Sequence, residues 1–202
     1  RTGKPIIAST GMTTVAELSD LVRTVRENGC TDLTLLKCTS SYPASPEGTN
    51  LRTIPHMREL FGCAVGLSDH TLGIGASVAS VALGATVIEK HFTLSRAEGG
   101  VDAAFSLEPA EMAQLVRECR TAALALGAVS YERAEQEQKS LQFRRSLYVV
   151  EDMKAGDVFT EKNLRRIRPG MGLSPKYYDI ILGKKANCNI TRGTAVQWDM
   201  IE

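Results

Sequence analysis

Gly66-Leu67-Ser68-Asp69-His70-Thr71, then a run of small residues, then Thr86-Val87-Ile88-Glu89-Lys90-His91-Phe92-Thr93, is the stretch that decides the fold. Two short apolar runs each end in a polar cluster containing a histidine, and Gly73 to Leu83 between them has the length of one helix. Strand, helix and strand of these lengths read as a parallel β/α unit, whose successive strand ends lie side by side on one face. His70 and His91 would then converge at adjacent strand ends, where two neutral imidazoles can hold a divalent metal ion. A single strand-end histidine is more often structural, so the residues alone leave both readings open.

The same grammar repeats upstream. Lys4 to Ser9 is apolar and runs into Thr10-Gly11-Met12, which reads as a buried strand entering a loop. Thr14 with Glu17 three residues later forms a capping box, Val15, Leu18, Leu21, Val22 and Val25 recur at helical spacing, and Gly29 suits the helix end. Leu33 to Lys37 is a second strand, leading into Cys38-Thr39-Ser40-Ser41-Tyr42-Pro43. A helix ending near Phe61 then precedes a third strand from Ala64 to Leu67, and Thr86 to Glu89 is the fourth. A last helix is expected over Pro109 to Leu126, with Met112, Leu115, Val116, Cys119 and Ala123 on one face.

Four strand–helix units imply a parallel α/β architecture with right-handed crossovers. A dinucleotide-binding sheet would carry G-x-G-x-x-G after its first strand, and this chain does not. Instead every strand ends in polar residues: Ser9-Thr10, Thr39-Ser40-Ser41, Ser68-Asp69-His70 and Lys90-His91. Polar residues collected at C-terminal strand ends are the mark of a β/α barrel with its active-site face there. Four units are half of an eightfold barrel, and the chain opens on Arg1 rather than methionine, so an upstream half is expected to be missing.

From Arg145 the pattern changes. Ser146 to Val150 is β-branched and aromatic, and Leu164 to Ile167 leads to Arg168-Pro169-Gly170. Turn signals at short intervals through Thr191-Arg192-Gly193-Thr194 point to a small, mostly-β module. The expected division is residues 1–127 for the half-barrel, 128–143 for a charged, solvated linker and 144–202 for the β module.

Composition narrows the function. A formal charge of +1 over 202 residues offers no footprint for nucleic acid or an anionic membrane, and no apolar run has transmembrane length. Five scattered cysteines without a C-x-x-C read as free thiols in a cytoplasmic protein. Hydroxyls at Ser9, Thr10, Thr39, Ser40 and Ser68, with the Gly11 amide, can receive a phosphate, although each alone is more often a cap or turn residue. Asp69 can orient an imidazole or cap the next helix. Asp102, in Gly99-Gly100-Val101-Asp102, is an ordinary loop carboxylate or a substrate ligand, and Arg168 a turn residue or an anion clamp.

K-P-I-I-A-S-T-G-M, L-L-K-C-T-S-S-Y-P, V-G-L-S-D-H-T and V-I-E-K-H-F-T, in this order, resemble the second half of the sialic acid synthase barrel. The module from Ser146 onward resembles the antifreeze-protein-like (SAF, β-clip) domain that follows it. Within the family, G-G-V-D-A-A-F-S-L-E-P and R-P-G-M-G-L-S-P-K-Y-Y are most similar to the pseudaminic acid branch, while Ser40 stands where the neuraminate branch carries Asn. The resemblance implies the C-terminal half of a (β/α)8 TIM barrel plus a SAF domain. It also implies condensation of phosphoenolpyruvate with an amino-sugar aldehyde, here 2,4-diacetamido-2,4,6-trideoxy-altrose, giving pseudaminic acid and phosphate. N-acetylneuraminate or legionaminate synthesis is the alternative product, and a non-catalytic carbohydrate-binding or assembly protein the alternative class.

By the same resemblance His70 and His91 would bind a divalent cation, manganese, magnesium or cobalt. Ser9, Ser40 and Ser68 would surround phosphoenolpyruvate, and Tyr42 and Asp102 the sugar. Arg168 would reach a partner's active site in a domain-swapped homodimer. The family's phosphate-binding lysines and catalytic glutamate on earlier strands have no counterpart here, so this chain alone is expected to be an inactive fragment.

Overall fold

In the computed structural model, which describes residues 2–202, the four apolar runs form one all-parallel sheet in chain order. Its strands are β1 (Ile6–Ser9), β2 (Leu33–Cys38), β3 (Ala64–Asp69) and β4 (Ile88–Lys90). Between them run α1 (Val15–Glu27), α2 (Thr53–Phe61) and α3 (Gly75–Ala82), and α4 (Pro109–Leu126) follows. The Thr14–Glu17 capping box forms: the Glu17 N–H donates to Thr14 Oγ1, and the Thr14 N–H donates to Glu17 Oε2. Gly29, at a φ of 84°, takes the left-handed turn after α1 that a side chain would resist.

Alternation along the strands separates two faces. Leu33, Leu35, Val65 and Leu67 pack with Leu18 and Val22 of α1 and Ile54, Met57 and Phe61 of α2 in one buried core. Thr34, Leu36, Cys38, Gly66, Ser68 and Glu89 have the opposite parity and point away from those helices. Gly66 is glycine for a steric reason: a Cβ there would run into the Val87 carbonyl and the Leu36 side chain. The small residues of α3 allow its close approach to α4, and Ser77 and Ser80 are fully buried.

Three local expectations change. β1 is not a buried strand: Ile6 and Ile7 are exposed, because β1 has a strand neighbour on one side only and Ile7 lies on the face without helices. On α4, Leu115 is buried and Met112 and Cys119 half-buried, but Val116 and Ala123 are exposed, so the apolar stripe is narrower than its sequence suggests. The fourth strand begins at Ile88 rather than Thr86, whose N–H and hydroxyl both donate to the Val65 carbonyl.

The chain divides into two compact units, Arg1–Ala128 and Val129–Glu202. The second contains α5 (Glu135–Gln138), the antiparallel pair β5 (Ser146–Val149) and β6 (Leu164–Ile167), and the single turn α6 (Tyr178–Ile181). Leu147, Val149, Phe159, Leu164, Ile181 and Val196 are completely buried in its core. Much of its β character comes from isolated bridges, such as Met153 with Ile190 and Val158 with Lys185, rather than long ladders.

Candidate metal and substrate site at the strand ends

The two histidines meet. His70 follows the last residue of β3 and His91 the last residue of β4, and the register pairs Asp69 with Lys90. Their ring centroids are 5.2 Å apart at 64°. His70 is buried, and its Nδ1–H donates to the Thr39 carbonyl at 3.0 Å, which leaves Nε2 as the lone-pair nitrogen. Asp102, which the sequence could not place, lies with Oδ2 3.5 Å from His91 Nδ1. Tyr42 lies against His70 with ring centroids 4.3 Å apart and reaches His91 at 5.9 Å, and Phe105 completes the cluster, 5.0 Å from His91 and 5.9 Å from Tyr42.

Ser68 is buried beside them and donates to Glu89 Oε1 at 2.7 Å. Ser68, His70, Glu89, Lys90 and His91 together line a concavity of about 260 Å³. Ser40 lies 3.8 Å from Cys38 Sγ, itself 4.0 Å from His70 Nδ1. Gly11 matters for Ser40: a Cβ at Gly11 would overlap Ser40 Oγ, so the missing side chain is the room in which that hydroxyl sits. Ser9 is exposed at the end of β1, its hydroxyl accepting the Gly11 N–H at 3.4 Å. Arg168 follows β6 in the second unit, exposed and without an ion-pair partner among the described residues.

Two expected phosphate ligands are engaged elsewhere. The buried Thr10 hydroxyl donates to the Leu36 carbonyl at 2.9 Å, and Thr39 Oγ1 donates to the Gly48 carbonyl while accepting from Lys37 Nζ. Both tie loops to strands.

Beneath the histidines lies an ion pair that sequence reasoning missed. Lys90 Nζ is 2.9 Å from Asp69 Oδ2, and both side chains are almost fully buried. Asp69 also accepts from the Thr71 N–H, the Thr71 hydroxyl and the Ser77 hydroxyl, and Lys90 donates to the Thr71 carbonyl. Burial pushes the Asp69 carboxyl up, but the bonds from Ser77, Lys90 and Thr71 outweigh it and hold the group below the usual carboxylate range. The pair bolts β3 to β4 one residue before each histidine, which fixes their spacing. Glu89 was legible in principle, since it stands two residues before His91 and alternation puts both on one face. Phe105 carried no such signal.

Two imidazoles, one with its tautomer set by a backbone carbonyl, are groups that could hold a divalent cation. Among the described residues no group of three or more His, Cys, Asp or Glu is placed to hold a metal ion, so the two histidines are the candidate protein ligands.

This arrangement, polar strand ends on a parallel half-barrel followed by a small β module, defines a class, and comparison with known proteins gives it a family. The NeuB family matches residues 1–131 and the SAF domain residues 144–202; the chain belongs to the NeuB family. It is 44% identical to the pseudaminic acid synthase of Campylobacter jejuni over 194 residues, 96% of this chain and 57% of that protein. It is 41% identical to the N,N'-diacetyllegionaminic acid synthase of the same species, over 92% of this chain and 57% of the relative. The crystal structure of N-acetylneuraminic acid (sialic acid) synthetase from Leptospira borgpetersenii superimposes with a TM-score of 0.63 at 34% identity, covering 70% of this chain and 50% of that one. The chain thus spans a little over half the length of the curated relatives it matches. No helix among the described residues is long and apolar enough to cross a membrane.

Proposed function

We propose that this chain supplies the metal- and sugar-facing half of a nonulosonic acid synthase active site, with pseudaminic acid as the product. The observation that carries this reading is the meeting of His70 and His91 under Tyr42, with Asp102 against His91, in a member of the NeuB family. Identity to the pseudaminic acid synthase and the Ser40 difference favour that branch over neuraminate; the legionaminic relative at 41% makes its product the second candidate.

In this reading the enol carbon of phosphoenolpyruvate attacks the open-chain sugar aldehyde, whose oxygen takes a proton and becomes a hydroxyl. Water adds to the resulting cationic carbon, and the tetrahedral adduct expels phosphate with C–O cleavage, leaving a ketone. Ser9 and Ser40 donate hydrogen bonds to the phosphate and carboxylate of phosphoenolpyruvate, and Ser68, whose proton goes to Glu89, borders the same substrate. Tyr42 and Phe105 wall the sugar and exclude water from the aldehyde. Asp102 accepts from a sugar hydroxyl and orients His91, and Glu89, held by Ser68, positions water. A divalent cation, manganese, magnesium or cobalt, would be held by His70 and His91 and would supply Lewis-acid polarisation of the aldehyde oxygen. Arg168, exposed and without an ion-pair partner among the described residues, is assigned to the sugar in a partner protomer of a swapped homodimer.

The test places this chain in the matching segment of the C. jejuni pseudaminic acid synthase and measures phosphate release and Mn²⁺ binding by titration calorimetry. His91→Ala should lose both; unchanged metal binding and turnover would refute the site. A panel of 2,4-diacetamido sugars against N-acetylmannosamine decides the branch. Mixing Arg168→Ala with His91→Ala protein should restore part of the activity if Arg168 acts across a dimer, and no restoration removes that role.

A further inference from the structure

The second unit holds a concavity of its own, of about 540 Å³, a size common to small-molecule sites. Its charged lining is Arg133, Arg144, Arg145 and Lys176, and no carboxylate lines it. None of the four has an ion-pair partner within 4.0 Å among the described residues, whereas Arg166 of the same unit pairs with Asp179 at 3.2 Å. The unit as a whole carries a formal charge of +3, against −2 for residues 1–128. Solvated surfaces interleave charges of both signs; a concavity ringed by one sign raises the local potential and attracts the opposite ion.

The convergence is built by the backbone. The Gly170 N–H donates to the Gln142 carbonyl at 3.0 Å, the Gly172 N–H donates to Ser146 Oγ at 2.9 Å, and Ser146 in turn donates to the Pro169 carbonyl at 2.7 Å. A Cβ at Gly170 would stand 2.6 Å from the Leu141 carbonyl oxygen, and one at Gly172 2.5 Å from that of Leu147. Only glycine lets the loop after β6 lie flat on the segment that carries Arg144 and Arg145, and this contact puts Lys176 on the same concavity. Those amides are already used, so the free donors facing it are side chains: three guanidiniums, one ammonium and the Ser174 hydroxyl. Arg168, although on the same loop, does not line it.

We propose that this concavity binds a phosphate monoester of a small organic molecule. A guanidinium offers two parallel N–H donors that match two oxygens of a phosphate, and an ammonium adds a third charge-assisted bond. The volume exceeds what a bare phosphate fills, and the Tyr177 ring and Leu141 give the organic part an apolar wall. This site is independent of the strand-end chemistry and stands whether or not that reading holds.

The test titrates the full chain, labelled with ¹⁵N, with inorganic phosphate and with AMP at physiological salt, following backbone amide shifts. Saturable shifts at Gly170, Gly172 and Lys176 are expected, with AMP binding more tightly than inorganic phosphate. Arg144→Ala and Lys176→Ala should each weaken binding about tenfold, and Lys176→Arg should retain it. Should Arg144→Ala lose its spectral dispersion, Lys176→Ala, at an exposed position, carries the comparison. Shifts confined to Thr39, Ser40 and His70, AMP binding no tighter than phosphate, an equal response to sodium chloride of matched ionic strength, or unchanged affinity in Lys176→Ala would each overturn the proposal.

Discussion

Replacing Lys90 by Met removes the cation from a buried pair while keeping most of the side-chain volume. Asp69 would keep its three bonds from Thr71 and Ser77 but lose the ammonium at 2.9 Å, in a place where water does not reach it. Breaking such a pair by removing one partner costs about 3–5 kcal/mol. The surviving bonds put Lys90→Met near the lower end, about 3 kcal/mol. Asp69→Asn should cost a similar amount, because it strands the ammonium on the Thr71 carbonyl. The double variant should be less destabilised than the two singles added together, by about 2 kcal/mol of coupling. Urea unfolding followed by circular dichroism at 222 nm measures this, since the long helices lie in the first unit; Trp198 fluorescence follows the second unit separately.

The pH dependence adds a sign. The folded Asp69 carboxyl sits below its unfolded value of about 3.9, so its contribution is complete at neutral pH and is lost as pH falls below about 4, through the lowered folded value. In Lys90→Met one lowering bond is gone, so the folded value moves back toward the unfolded one: the acid limb should still begin at about 4 but end at higher pH and lose less stability. Additive single and double variants, or an acid limb that does not move, would refute the view that this pair fixes the two strand ends.

Gly66→Ala should destabilise the first unit by about 1–3 kcal/mol, because the new Cβ meets the rigid Val87 carbonyl; chemical denaturation checks it. Gly11→Ala meets the movable Ser40 hydroxyl and, less closely, the Cys38 sulfur, both side-chain atoms, so its stability should change by about 1 kcal/mol or less, while the KM for phosphoenolpyruvate in the chimeric synthase rises about tenfold. A KM that stays put would remove Ser40 from that substrate. Thr14→Ala, which loses one half of the capping box, should cost about 1 kcal/mol in the same urea series.

Strand order, parallel direction and the capped α1 were legible because each rests on local pattern: apolar runs, a Thr-x-x-Glu box and glycines after helices. The meeting of His70 and His91 was legible for a related reason, since topology alone makes neighbouring strand ends adjacent. What was not legible depends on three dimensions. Asp102 sits in a loop whose path is set when the Leu107 N–H donates to the His91 carbonyl, a contact no spacing reveals. Thr10 and Thr39 carry the same hydroxyl as Ser40, and only the fold shows that theirs are tied to Leu36 and Gly48. Lys90 reads only as one more polar strand-end residue until Asp69 is found beside it. Exposure of Ile7 likewise reflects which face lacks a covering layer, and the residue itself carries no mark of that.

The ion pair and the histidines differ by one residue on each strand, and that offset has a consequence for change over time. Asp69 lies on the helix side of the sheet, where it receives Ser77 of α3, and Lys90, although it borders the strand-end concavity into which 70 and 91 open, spends its ammonium on Asp69 and the Thr71 carbonyl. The group that sets the spacing is therefore not the group that meets the ligand. Mutation at 70 or 91 can explore new chemistry on an unaltered frame, whereas mutation at 69 or 90 shifts every occupant of the site together. A lineage can keep this bolt and rewrite what it holds.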